Sequence, residues 1–147
     1  MPSYATLADM VSRFGQTEMI RLSATGDDLP AQPDGVRVQV ALDDVTSVID
    51  SYLRNRYLVP LNPVPREITR AACILARFDL SQGHGKVPSE EVTKERDAIL
   101  KWLQQLADTE GKLDAPPAEA ASDAQFQDRD RAFSTEPGDW LTQGNEP

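Results

Sequence analysis

Between Val36 and Tyr57, apolar side chains return at intervals of three and four: Ala41, Val45, Val48, Ile49, Tyr52 and Leu53. An α-helix lays such positions along one face, and a face that wide must be covered by other elements. The chain is therefore expected to build itself around this helix. Val36, Val38 and Val40 also alternate, which leaves a short strand ahead of the helix as an open alternative.

The partners of that helix are marked by caps and breakers. Thr6 is placed to cap a short helix with Leu7, Met10, Val11 and Phe14 on one face, ended by Gly15. Thr17 is expected to open a second short segment with Met19, Ile20 and Leu22 as its apolar side. From Ser23 to Gly35 glycines and prolines fall among aspartates, a loop pattern. After the long helix, Pro60, Pro63 and Pro65 force an extended connector, with Pro65 suited to the first position of the next helix. That helix carries Ile68, Ala71, Ala72, Leu75, Ala76 and Phe78 to about Gln82. Ser89 caps a last helix with Val92, Ile99, Trp102, Leu103 and Leu106 on its face, and Gly111 is expected to stop it. The sum is an all-α fold, a small helical bundle over residues 1–113. Val48, Tyr52, Leu75, Ile99 and Leu103 are expected in one core.

Residues 114–147 differ in kind. The net charge of −9 divides into −3 before Asp114 and −6 from Asp114 onward, and large apolar residues become sparse. Fixing the backbone there would cost about 1–2 kcal/mol per residue, which so few apolar groups cannot offset within the bundle. An extended, partner-dependent C-terminal tail is expected. Phe126, Phe133 and Trp140 recur every seven residues, with Leu141 beside the last, but Pro137 and Gly138 would interrupt a single helix. A short helix from Phe126 to Phe133 followed by an extended end fits better. The four apolar residues then read as anchors for a portal or neighbouring subunit, the alternative being a solvating acidic tail. Stretched out, the segment reaches about 110–120 Å.

The totals exclude several classes. An acidic chain does not coat nucleic acid broadly. No apolar run is long enough for a membrane helix, and the first residues lack the basic-then-apolar pattern of a signal peptide. A single cysteine, Cys73, forms no internal disulfide, which suits a reducing cytosol. No phosphate loop and no paired Cys or His at ligand spacing is present, so no cofactor or metal is expected. The one histidine, His84, lies between two glycines, a poor place to hold a base rigidly, and reads as a solvent-facing turn residue. Cys73, flanked by Ala72 and Ile74, reads as a small core residue. Asp43-Asp44 and Glu90-Glu91 are helix neighbours that diverge by about 100°, so they do not converge on a substrate.

One cluster stands out. Arg54, Arg56, Arg66, Arg70 and Arg77 fall within 24 residues, with Glu67 the one acid among them. Arg66, Arg70 and Arg77 share a helix face. They would meet DNA phosphates or an acidic protein surface, or else pair with the chain's own acids.

Four blocks of residues resemble a known family. They are Tyr4-Ala5-Thr6-Leu7 with Arg13-Phe14-Gly15; Ala41-Leu42-Asp43-Asp44 with Ile49-Asp50-Ser51-Tyr52-Leu53, Arg56-Tyr57 and Pro60-Leu61; Ala72 with Ala76-Arg77-Phe78 and Leu80; and Ala98-Ile99, Leu103 and Gly111-Lys112-Leu113. In this order they resemble the phage Mu-like family of small head–tail connector proteins over about residues 4–113, the second block being the most specific. Asp79 departs from the pattern, as does the loop from Thr25 to Gly35.

The resemblance implies a structural adaptor of the virion neck, assembled in the bacterial host cytoplasm. It would form a ring of twelve copies beneath the portal protein, contact a tail-side neck or tail-completion protein, and let double-stranded DNA pass. No catalytic residues carry over. Ile49, Tyr52, Leu53, Tyr57 and Pro60 would form the packing motif, with Asp50 facing elsewhere toward a nearby arginine. Two other classes compete: a small acidic regulator or inhibitor that binds a host protein through its tail, and an enzyme subunit whose active site is shared between chains.

Overall fold

The computed structural model describes residues 2–108 and 112–118. The fold is an all-α bundle. Its helices are α1 (Leu7–Phe14), α2 (Gln16–Ser23), α3 (Gly35–Leu53), α4 (Arg66–Leu80) and α5 (Glu90–Ala107). Among the described residues there is no strand, only isolated bridges between Tyr57 and Pro117 and between Gly83 and Lys86. The α3, α4 and α5 helices pack on one another, and the α1–α2 pair covers α3 and α4.

Local chemistry sets the helix starts. Thr6 caps α1 by a reciprocal box: its hydroxyl accepts from the Asp9 amide and the Asp9 carboxylate accepts from the Thr6 amide. Gly15, at φ 88°, adopts the left-handed turn that lets α2 begin one residue later, at Gln16 rather than Thr17. The Asp34 carboxylate caps α3 through the amides of Val36 and Arg37, and the Ser89 hydroxyl caps α5 through the Val92 amide. Pro65 stands just outside α4 as its cap residue, in extended geometry, not as its first helical residue.

The long helix begins where expected, at Gly35, and the alternative of a strand through the valines at 36, 38 and 40 falls: Val38 is fully buried while Val36 and Val40 are 78% and 55% exposed. It differs from its expected form in two respects. It stops at Leu53, and Tyr57 lies beyond a turn. Its buried arc is rotated. Ala41, Leu42, Val45, Ile49 and Leu53 are inside, and so are the polar Thr46 and Asp50, whereas Val48 is 42% exposed. At about 100° per residue, Val48 falls just past the edge of an arc that has shifted toward Asp50. The expectation of Val48 in the core is thereby corrected.

The core joins Met10 and Met19 to the α3 set, to Ile68, Ala71, Ala72, Cys73, Leu75 and Ala76 of α4, and to Ile99, Leu103 and Leu106 of α5. Tyr52 and Trp102 are partly buried against it. Of the remaining motif residues, Ile49, Leu53 and Tyr57 are buried, whereas Pro60 lies exposed in the connector beside buried Leu61. The α5 helix ends at Ala107 with Asp108 as cap. Gly111, expected to stop it, lies outside the described residues.

The chain then returns to the bundle. Leu113 is buried and its amide donates to the Tyr57 hydroxyl at 3.0 Å. The Leu58 amide donates to the Pro116 carbonyl at 2.9 Å, and the Ala118 amide to the Arg56 carbonyl at 3.1 Å. Residues 114–118, the start of the expected tail, thus run along the turn after α3. The remainder, with Phe126, Phe133, Trp140 and Leu141, lies outside the described residues.

Candidate functional site

The five arginines of the cluster meet different fates. Arg77 is turned inward. Two of its nitrogens bond the Glu18 carboxylate of α2, Nη2 at 2.8 Å and Nε at 3.0 Å, and Nη1 meets Glu95 of α5 at 3.3 Å. Its guanidinium also lies 4.7 Å from the centre of the Phe14 ring. Arg77 therefore ties α1, α2, α4 and α5 together. Arg56 donates to the Leu106 carbonyl in the last turn of α5 and stacks over Tyr57. Arg54 is exposed, its Nε at 3.5 Å from the Asp50 carbonyl. Arg66 and Arg70 are exposed on the first half of α4 and make no ion pair among the described residues. The cluster resolves into a structural pair, Arg56 and Arg77, and a solvent-facing set, Arg54, Arg66 and Arg70.

Arg70 borders a shallow groove between α4 and α5. Its apolar wall is Ile74, Ala98, Ile99 and Trp102, and Glu67 and Glu95 are its acidic members. Sequence periodicity assigns Trp102 and Ile99 to the core. In the structure Ile99 is 6% exposed while Trp102 is only partly covered. The signal that could have marked the groove is Ala98 one turn before Trp102, a small residue that leaves the indole uncovered.

Asp50 is the clearest departure from expectation. It faces no arginine side chain: it is 7% exposed and its carboxylate accepts a hydrogen bond from the Tyr4 hydroxyl. Tyr4 in turn accepts from the Leu61 amide at 2.9 Å, and its own amide donates to the Thr46 hydroxyl at 3.0 Å. Burial, together with the Asp50 carboxylate, raises the Tyr4 pKa well above the ordinary phenol value, so the hydroxyl remains a donor. The motif residues Tyr4, Asp50 and Leu61 therefore form one buried polar knot joining the N-terminal segment, α3 and the proline connector. A carboxylate needs such a partner to be buried at all.

A second long-range cap closes α2. Lys86 Nζ donates to the carbonyls of Arg21, Leu22 and Ala24 at 2.7, 2.9 and 2.7 Å, and Arg37 Nη1 donates to Ser23 and Ala24 at 3.2 and 3.0 Å. Two cations thus meet the carbonyl end of the helix. Burial and the charge of Arg37 pull the Lys86 pKa down.

The remaining reactive side chains have structural places. The Cys73 thiol is buried, which pushes its pKa up to about 11 despite the opposing charge of Arg13; a thiol so held is a poor nucleophile at neutral pH. His84 is exposed in its turn at φ 50°, between Gly83 and Gly85. Asp43 accepts from Gln39 and Glu90 pairs with Lys94, both on exposed helix surface. Among the described residues no group of three or more potential ligands could hold a metal, and no helix is long and apolar enough to cross a membrane.

A helical scaffold in which Arg37, Arg56, Arg77 and Lys86 brace its own elements is the setting in which the comparisons fall. A family model described as Bacteriophage Mu, Gp36, matches residues 4–130, and the chain belongs to that family. It is similar to the protein named gene product J of Escherichia phage Mu, at 34% identity over 114 residues, 76% of this chain and 75% of the relative. It is also similar to the Mu-like prophage FluMu protein gp36 of Haemophilus influenzae, at 32% identity over 74 residues, half of each chain. The expected membership of a phage Mu-like family is thus met. Neither the family description nor these names indicate an enzyme.

Proposed function

We propose that this phage protein is a non-catalytic connector subunit of the virion neck. Copies of it form a ring beneath the portal, continue the DNA channel, and present their far side to a tail-side neck or tail-completion protein. The observation that carries the reading is membership in the phage Mu family over residues 4–130, a span that takes in the whole described bundle. The braced interior supports it, since a ring subunit must resist distortion. A ring also needs head-to-tail contacts, in which two different surfaces of each copy meet. The exposed α3 face and the α4–α5 groove are two such surfaces.

Arg54, Arg66 and Arg70 are the cluster members available to line a channel or to meet an acidic neighbour; Arg77 and Arg56 serve the fold. Passage of DNA is best served by weak phosphate contacts, because tight ones would retard it. The test is electron microscopy of the protein mixed with its portal, together with particles from a host carrying the Arg66→Glu, Arg70→Glu double variant. The expected results are a cyclic assembly of twelve copies stacked on the portal and particles that lose DNA or fail to join tails. A functional two-fold dimer would overturn the connector reading. Normal particles from the double variant would remove those arginines from the working surface.

A further inference from the structure

We propose that the exposed face of α3, at Val40, Asp43 and Asp44, docks on the start of α4 in a second copy of this chain, at Val64, Arg66 and Arg70. The inference deepens the connector reading and rests on it for the premise that copies meet head to tail.

The α3 face is apolar and acidic at once. Val36, Val40 and Val48 fall at multiples of four and stand 78%, 55% and 42% exposed. An apolar row left open on a helix is a surface for another chain. Asp44 fills the remaining place in that row and Asp43 lies beside it, both exposed. Asp44 also borders a shallow pocket with Asp79, at the end of α4. None of these three carboxylates has an ion pair among the described residues. Arg37, the one cation in the same pocket, is engaged by the carbonyls of Ser23 and Ala24. Burial and then Asp44 hold the Asp79 pKa up despite Arg96, as befits a carboxyl short of a cation.

The complement lies at the other end of the same helix pair. The α3 and α4 helices run antiparallel, since the pocket sets residues 37–44 against 79–82. The end of α3, the connector and the start of α4 therefore share one end. There Arg54, Arg66 and Arg70 are exposed, without an ion pair among the described residues, and Glu67 is the one acid from 54 to 70. Leu58 and Val64, 40% and 36% exposed, lie between them in the chain. Asp79 and Arg66 stand about 20 Å apart along α4, so the two patches cannot close on each other within one chain. A molecule with opposite charge and open aliphatic groups at its two ends matches a second copy of itself. A two-fold contact centred on either patch would set like charges face to face, which disfavours it. A contact between the two different patches repeats from copy to copy and can close into a ring.

The test is disulfide trapping in the full chain, with Cys73 left in place because its thiol is buried. One protein carries Val40→Cys and another Val64→Cys, each oxidised alone and then together, with and without portal. The expected result is a cross-linked dimer from the mixture, several-fold above either protein alone. A chain carrying both substitutions is expected to give a ladder beyond the dimer. Dimers from Val40→Cys alone, a ladder that stops at two, or no product in the mixture would each overturn the proposal. Asp43→Lys with Asp44→Lys on the first protein, or Arg66→Glu with Arg70→Glu on the second, is expected to cut the mixed dimer about tenfold, and both together to restore it to within about twofold. Yields unmoved by the single reversals, or not restored by the double one, would overturn the charge pairing. Twelve-copy rings on the portal without the mixed cross-link would strike this contact and leave the connector reading standing. The ladder without portal-bound rings would do the reverse.

Discussion

In the first half of α4, Arg66 and Arg70 stand in solvent. In its second half, on the same face, Arg77 is held by carboxylates from two other helices and covered by Phe14. The inner side of the helix does not distinguish the halves, since Ile68, Ala71, Ala72, Cys73 and Ala76 are all fully buried. What differs is the neighbourhood: α2 and α5 bring Glu18 and Glu95 to the second half. An arginine's role in such a helix is set by what crosses it, not by its own sequence context.

The comparison assumes one core beneath both halves. Leu103, fully buried where α5 meets that core, tests this most severely. Leu103→Ala is expected to cost about 2–5 kcal/mol in denaturant unfolding. A change within experimental error would mean that the halves rest on separate supports.

Next in size is Arg77→Ala, expected to cost about 1–2 kcal/mol, since it strips two acids and a ring of their shared partner. Solvent around Glu18 and Glu95, whose side chains are 35% and 41% exposed, keeps the effect below that of a fully buried pair. The contrast is with Arg66→Ala and Arg70→Ala, each expected to change stability by less than about 0.5 kcal/mol. Equal costs at all three positions would erase the distinction between the halves.

Asp79, two residues beyond Arg77, offers a finer measure. Much of the residue meets solvent, yet partial burial of its carboxyl and then the nearby Asp44 raise its pKa, while Arg96 opposes them. A raised native pKa means that the folded state binds the proton more tightly than the unfolded chain does. Ionised Asp79 therefore weakens the fold above its native pKa, and the penalty fades as pH falls through that value toward the ordinary carboxylate range. Asp79→Asn is expected to raise Tm slightly at pH 7, with the gain shrinking in acid. A loss of Tm at pH 7 would show that the carboxylate is a net support of that end of α4.

The bundle is legible in the sequence because its determinants are local. The Thr6 box, Gly15, the Ser89 cap and the three-and-four spacing on α4 and α5 act within a turn or two of themselves. The same spacing misplaces Val48, because hydropathy cannot know that a tyrosine 46 residues away makes Asp50 an inside residue. Tyr57 is lost from α3 for a similar reason: it pairs with the chain returning at Leu113 and Pro117, far along the sequence. The cluster shows the same limit. Five arginines within 24 residues read as a common surface, but Arg77 and Arg56 are claimed by Glu18, Glu95 and the end of α5, and no local pattern announces those claims.

The hydrogen bond from the Leu61 amide to the Tyr4 hydroxyl also bears on exchange with solvent. Leu61 lies in a connector with no helical ladder, where an amide would ordinarily trade its proton for deuterium quickly. Here its acceptor is a side chain from the start of the chain. Its exchange then waits on detachment of the N-terminal segment from α3, so one loop amide becomes a clock for that local opening. A Leu61 amide protected to the same degree as those of α3 would mean that the first residues come away only when the whole bundle unfolds.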